Sequence, residues 1–229
     1  MLFLLAFNAV LLVVLSMLYM GLLRDTPLGD ALISPYSLIA TQFFGLLAPM
    51  LIFKKISGRK FSFKSKKVTW RFPGSKNLIL VILIAFTTQP YMILLSIITP
   101  AQSPGSSLFE SLSAIPWPVA LLLVALVPAL CEEIVFRDFM LNQTLGYNLV
   151  TAALINGIYF GLIHMNLQQL PYAAMMGVVL FLVAAFTRSV LSAVILHFIV
   201  NASQFALGTF LSGLDEAGMT IFSRLFPKS

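Results

Sequence analysis

Charge is scarce in this sequence. Lys, Arg, Asp and Glu together make up 10% of the 229 residues, against roughly 25% in an ordinary soluble domain. With 59% apolar residues and a mean hydropathy of +0.98, the chain is neither a soluble globular domain nor a disordered one. One cysteine, Cys131, permits no internal disulfide, so the redox compartment is left open. Imidazole is nearly absent as well, with His164 and His197 the only histidines. No internal repeat or low-complexity tract is visible.

What the chain has is long apolar stretches. Seven of them, at about 1–23, 37–53, 78–98, 118–141, 149–165, 170–187 and 190–211, approach or exceed the roughly 20 residues that cross a bilayer as a helix. They predict an all-α, polytopic transmembrane bundle of about seven spans forming a single membrane domain over 1–229. The N-terminal spans occupy 1–98 and a second group occupies 118–211, with no room for a substantial soluble domain. The first stretch has no positive n-region and no small-residue cleavage site, so it reads as a retained span. Pro118 stands where a proline starts a helix well, and the tail from Ser212 reads as short and mixed.

The net charge of +6 would suit a nucleic-acid binder until the charges are located. Nine of the fourteen basic residues fall between Lys54 and Lys76, interleaved with Phe61, Phe63, Trp70 and Phe72. Beside apolar spans, such a block reads as a cytoplasmic loop resting on anionic lipid headgroups, with no nucleic acid as partner. That places the N-terminus inside and the Ser-rich connection at 99–117 outside; seven spans then leave the C-terminus outside.

The informative residues are ionisable groups inside the spans. Glu132, Glu133 and Arg137 lie in the fourth, where each charge costs about 2.5–3.5 kcal/mol on insertion scales. Glu133 and Arg137 are four apart and share a helix face, so they can pair. Glu132 points about 100° away, free to face the bundle interior close to mid-depth. Phe160 with His164, and His197 with Asn201, repeat the four-residue spacing on two later spans. Three helices thus have the means to bring Glu132, His164, His197 and Asn201 to one cavity, beside a helix that Pro128 can bend. Gly157 and Gly161 permit a close helix approach. Cys131 has no spaced base on its own face and is set aside as a nucleophile.

Taken together and in this order, Glu132-Glu133-x-x-x-Arg137, Phe160-x-x-x-His164 and His197-x-x-x-Asn201 resemble the signature of the CPBP family. That family comprises the type II CAAX prenyl proteases and the bacterial Abi, bacteriocin-processing relatives. The resemblance covers roughly 118–205, and the first three spans share only their apolar character. It implies a CAAX-protease-like core acting as an intramembrane endopeptidase on a membrane-associated peptide or protein. It further implies that Glu132 with His164 activates a water, while His197 and Asn201 face the developing oxyanion. Glu133 with Arg137 then looks like the local counter-charge, and Phe160 packs beside the site. The small size, with no appended domain, favours a prokaryotic cell membrane.

Two histidines and a carboxylate plus water also make the ligand set of a catalytic zinc site, here Glu132, His164 and His197. No His-Glu-x-x-His is present and no spacing demands the metal, so no obligatory cofactor is expected. Two other function classes use the same inventory. A proton- or ion-coupled transporter employs Glu/His relays within helices, although the repeats frequent in such proteins are not visible. A catalytically silent scaffold would keep the fold, but every motif residue is in place.

Overall fold

A computed structural model describes residues 26, 34–56, 68–98, 112, 114–144 and 147–225. The first expected span and most of the basic and Ser-rich connections lie outside the described residues. Within them the chain is helical throughout, with one isolated bridge between Thr69 and Ser189. Five helices are long and apolar enough to cross a membrane. They are α1 (Ser37–Ile56), α2 (Ser75–Ile98, of which Ser75–Leu95 is the apolar window), α3 (Trp117–Met140), α5 (Leu170–Thr187) and α6, whose apolar part is Val190–Leu211. Between α3 and α5 lies α4, Leu149–Leu162.

The helix ends follow from local chemistry. Pro118 and Pro171 stand in the first turns of α3 and α5, where a missing N–H removes no hydrogen bond. Asn148 caps α4, its side chain accepting the Val150 N–H at 2.9 Å. Helix α5 ends on Arg188, in the left-handed region at φ 53°.

Two elements differ in length from the sequence reading. Helix α4 has 14 residues, about 21 Å against a hydrocarbon core of about 30 Å. Its apolar stretch runs on to Met165, but the chain turns after Leu162 and Met165 adopts φ 50°. Asn166 then accepts the N–H groups of Gln168 and Gln169, at 2.8 and 3.2 Å, and leads into α5. At the other extreme, the mixed tail continues α6 to Leu225, a helix of 36 residues, about 54 Å long.

Helices this apolar bury some faces against protein and leave others for lipid. Ile79, Leu83 and Phe86 of α2, and Leu154 and Ile158 of α4, are exposed as lipid-facing residues would be. The tightest packing joins α4 to α5, and small residues set it. A Cβ on Gly157 would stand 2.7 Å from the Ala174 carbonyl oxygen, and one on Gly177 would stand 2.6 Å from Phe160 Cβ. The expected close approach at Gly157 and Gly161 is therefore present, and Gly177 answers it from α5.

The end of the basic connection is clasped to the α5–α6 turn. Thr69 receives the Val190 N–H at 2.9 Å and donates to Arg188 at 3.3 Å. Arg71 donates from Nη2 to the Thr187 carbonyl at 2.7 Å, and Ser189 donates its hydroxyl to the Arg71 carbonyl. The start of α2, the end of α5 and the start of α6 thus share one end of the bundle. Phe53 and Phe139, with ring centroids 6.4 Å apart, bring the ends of α1 and α3 to the same end.

Candidate active site

Helix α3 carries adjacent carboxylates into two different environments, as its 100° step requires. Glu133 and Arg137 are fully buried, with Glu133 Oε2 2.9 Å from Arg137 Nε. That contact is short but not aligned as a hydrogen bond. The guanidinium donates from Nη2 to the Gly177 carbonyl at 3.2 Å. It also lies 5.2 Å from the Phe160 ring centroid and 5.6 Å from that of Phe136, within reach of a cation–π interaction. The expected Glu133–Arg137 pair is formed. It is also tied to α5 through the Gly177 carbonyl.

Glu132 turns the other way. Its Oε1 accepts from Gln42 Nε2 of α1 at 3.0 Å, and its Oε2 lies 3.9 Å from His197 Nε2 with no hydrogen-bond partner among the described residues. The other nitrogen of His197, Nδ1, lies 3.0 Å from Glu133 Oε1. His197 therefore bridges the two carboxylates, an arrangement that spacing along α3 did not reveal.

Hydrogen-bond partners fix the tautomers by inference. His164 Nδ1 is 2.8 Å from the Phe160 carbonyl oxygen, which can only accept, so Nδ1 carries the proton and Nε2 is left with a lone pair. The same logic puts a proton on His197 Nδ1, facing the Glu133 carboxylate. Phe160 is buried with its ring 5.4 Å from that of His164 and 5.7 Å from that of His197, acting as a wall shared by both imidazoles. It packs edge-on against Phe136 at 5.0 Å. Asn201, one turn after His197, donates from Nδ2 to the Val124 carbonyl at 3.3 Å.

A cavity of about 590 Å³ connects these groups, well within the usual size of a ligand site. Glu132, Phe160, His164, His197 and Asn201 all line it, while Glu133 and Arg137 stand behind its wall. The seven residues singled out in the sequence thus come to one place. Gln42, Gln169, Tyr172 and Gln204 also line it. Gln42 was missed because its span was read only as apolar, although an amide among apolar residues was the available signal.

Wide helical turns recur here. Stretches of π-helix run over Thr41–Leu47, Leu122–Leu126 and Ile134–Met140. They contain Gln42, Val124 and Arg137, the partners of Glu132, Asn201 and Glu133 respectively. Such segments are frequent at functional sites because they redirect side chains and loosen the backbone ladder.

Among the described residues no three His, Cys, Asp or Glu side chains come together closely enough to hold a metal ion. Glu132, His164 and His197 line one cavity without forming a three-ligand set.

Residues 114–203 match the sequence model of a family described as type II CAAX prenyl endopeptidase Rce1-like. The match agrees with the resemblance carried by the three motifs and contains all seven motif residues; Gln42 lies outside it. It covers less than half of the chain. No curated protein and no solved structure matches the chain. With five helices among the described residues long and apolar enough to cross a membrane, and this match, the chain is an integral membrane protein.

Proposed function

We propose that the protein is an intramembrane endopeptidase in which Glu132 is the general base. The observation that carries this reading is the placement of the Glu132 carboxylate, the His164 and His197 imidazoles and the Asn201 amide around a single cavity. In the reaction, a water between Glu132 and His164 Nε2 gives a proton to Glu132 as its oxygen bonds to the scissile carbonyl carbon. The carbonyl oxygen becomes an oxyanion, which receives hydrogen bonds from His197 and from the amide of Asn201. His197 donates from Nε2 only when it carries a second proton, and Glu133 at 3.0 Å is then its counter-ion. Collapse of the intermediate breaks the C–N bond, and the proton held by Glu132 goes to the leaving nitrogen. Arg137 balances the charge of Glu133, and Phe160 holds the imidazoles apart in fixed orientations.

The same reading takes the basic connection as cytoplasmic and the substrate as a membrane-associated peptide or protein. Comparing the peptides of cells that make the wild-type protein with those that make Glu132→Gln tests it. A set of cleavage products present only with the wild type is expected. Identical peptide profiles, with both proteins inserted at equal levels, would refute the endopeptidase reading.

A further inference from the structure

Among the described residues the cavity is closed at the basic end. Fully buried Glu133, Phe136 and Arg137 close it below Glu132. Apart from Glu132 itself and His197, which lies in the nearer half of the α6 span, the helical lining residues lie in the half of their span that points away from the basic connection. Leu38 and Gln42 begin α1, and Met92 is in the last third of α2. Leu123 and Val124 are near the start of α3, Gln169 and Tyr172 are at the start of α5, and Gln204 and Phe205 are in the later part of the α6 span. At that rim Trp117 of α3 stacks on Phe205 of α6, with centroids 6.3 Å apart.

Charge separates the two ends just as sharply. The connection from Lys54 to Lys76 has nine basic residues and no acidic one, and Arg188 lies in the turn clasped to it. The connections at 24–35 and 99–116 carry Arg24 against Asp25, Asp30 and Glu110. An excess of Lys and Arg in short connections marks the cytoplasmic side. The clasp between Thr69 and the α5–α6 turn adds that the basic connection and the closed end of the cavity are one end of one bundle.

We infer that the site opens to the extracytoplasmic side, and that its substrates are exported or outward-facing membrane polypeptides. This rests on the endopeptidase reading for the chemistry, but on charge and packing alone for the direction of entry. Depth constrains the substrate further. Glu132 lies fifteen residues into α3 from Trp117, about 22 Å along the helix axis. A chain entering from the rim in extended form spans that depth with about seven residues at ~3.3 Å each. The substrate therefore presents a flexible end or an unwound segment of at least that length to the outer side, and the scissile bond is drawn down to Glu132.

Cysteine labelling tests the direction of entry without any need for catalysis. In a Cys131→Ser background, single replacements Gln169→Cys and Gln204→Cys report the rim, and Lys76→Cys reports the basic end. A membrane-impermeant maleimide applied to intact cells is expected to label both rim positions at least ten-fold faster than Lys76→Cys, with the order reversed in inverted vesicles. Two rim positions guard against one variant failing to insert. Labelling of the rim only in inverted vesicles overturns the inference and leaves the endopeptidase reading standing. The second arm sorts the products lost in Glu132→Gln cells by origin. Outward-facing or exported polypeptides support the assignment, and products from cytoplasmic tails overturn it. Loss of no product at all removes the endopeptidase reading and the substrate assignment together, while the labelling result stands separately.

Discussion

Replacing Arg137 by Met removes one member of a charge pair that has no contact with solvent, and the structure sets the size of the effect. Arg137 contributes a 2.9 Å charge contact to Glu133, a 3.2 Å hydrogen bond to the Gly177 carbonyl and two ring contacts. Met retains much of the apolar volume, so the loss is electrostatic. Glu133 would be left fully buried with His197 as its one remaining partner, and breaking such a pair from one side costs about 3–5 kcal/mol. Removing both charges in Glu133→Gln/Arg137→Met leaves no stranded ion and should recover most of that loss. The assay is reversible unfolding of the purified protein in detergent for the wild type, both single variants and the double variant, read as a double-mutant cycle. A coupling energy of about 2 kcal/mol or more is expected. Additive losses, with the double variant as unstable as the two singles summed, would show that the buried pair is not a unit.

Four other outcomes are expected. Gln42→Leu removes the 3.0 Å donor to Glu132 Oε1, and loss of one hydrogen bond to a charged group, about 1.5–3 kcal/mol, should lower kcat roughly ten-fold or more with little change in KM; an unchanged kcat would mean that Gln42 does not position the base. Gly177→Ala places a Cβ 2.6 Å from Phe160 Cβ and 2.9 Å from Gly157 Cα, so α4 and α5 must separate at a cost of about 1–3 kcal/mol. Thermal unfolding reads that cost, and a wild-type midpoint would contradict the contact. Asn201→Leu should lower kcat by about 10²-fold or more, the size of a lost oxyanion donor, whereas a change confined to KM would remove Asn201 from that role. Prolonged dialysis against a chelator should leave peptidase activity unchanged, and activity lost to the chelator and restored by zinc would give Glu132, His164 and His197 a metal-binding role.

How much of this was legible in the sequence depends on the range of each interaction. The Glu133–Arg137 pair was readable because a four-residue spacing on a helix dictates a shared face. The divergence of Glu132 from Glu133 followed from the same periodicity. The convergence of His164, His197 and Asn201 on one cavity was inferable from the cost of polar groups in lipid, which drives them to face one another. The bridging of both carboxylates by His197 was not readable, because it depends on how far α6 is rotated against α3. Gln42 escaped because its partner is ninety residues away and no local pattern points to it. The π-helical stretches have no simple periodic signature, since their residues keep ordinary helical propensity. The short α4 was hidden for a related reason: the apolar run continues past Leu162, and only the turn into Asn166 ends the helix. Hydropathy likewise ends the last span near Leu211, whereas the helix itself persists to Leu225, because hydropathy marks the apolar run and not the end of the hydrogen-bonded helix.

The most direct check on the central claim is hydrolysis by purified protein reconstituted in lipid vesicles. The substrate is a peptide shown to vanish from Glu132→Gln cells, with the rate followed by mass spectrometry. Removing a general base is worth about 10²–10⁴ in rate, so Glu132→Gln should fall by at least a hundred-fold while binding the peptide as before. A Glu132→Gln rate within two-fold of the wild type would mean that the carboxylate facing Gln42 and His197 is not what activates the water.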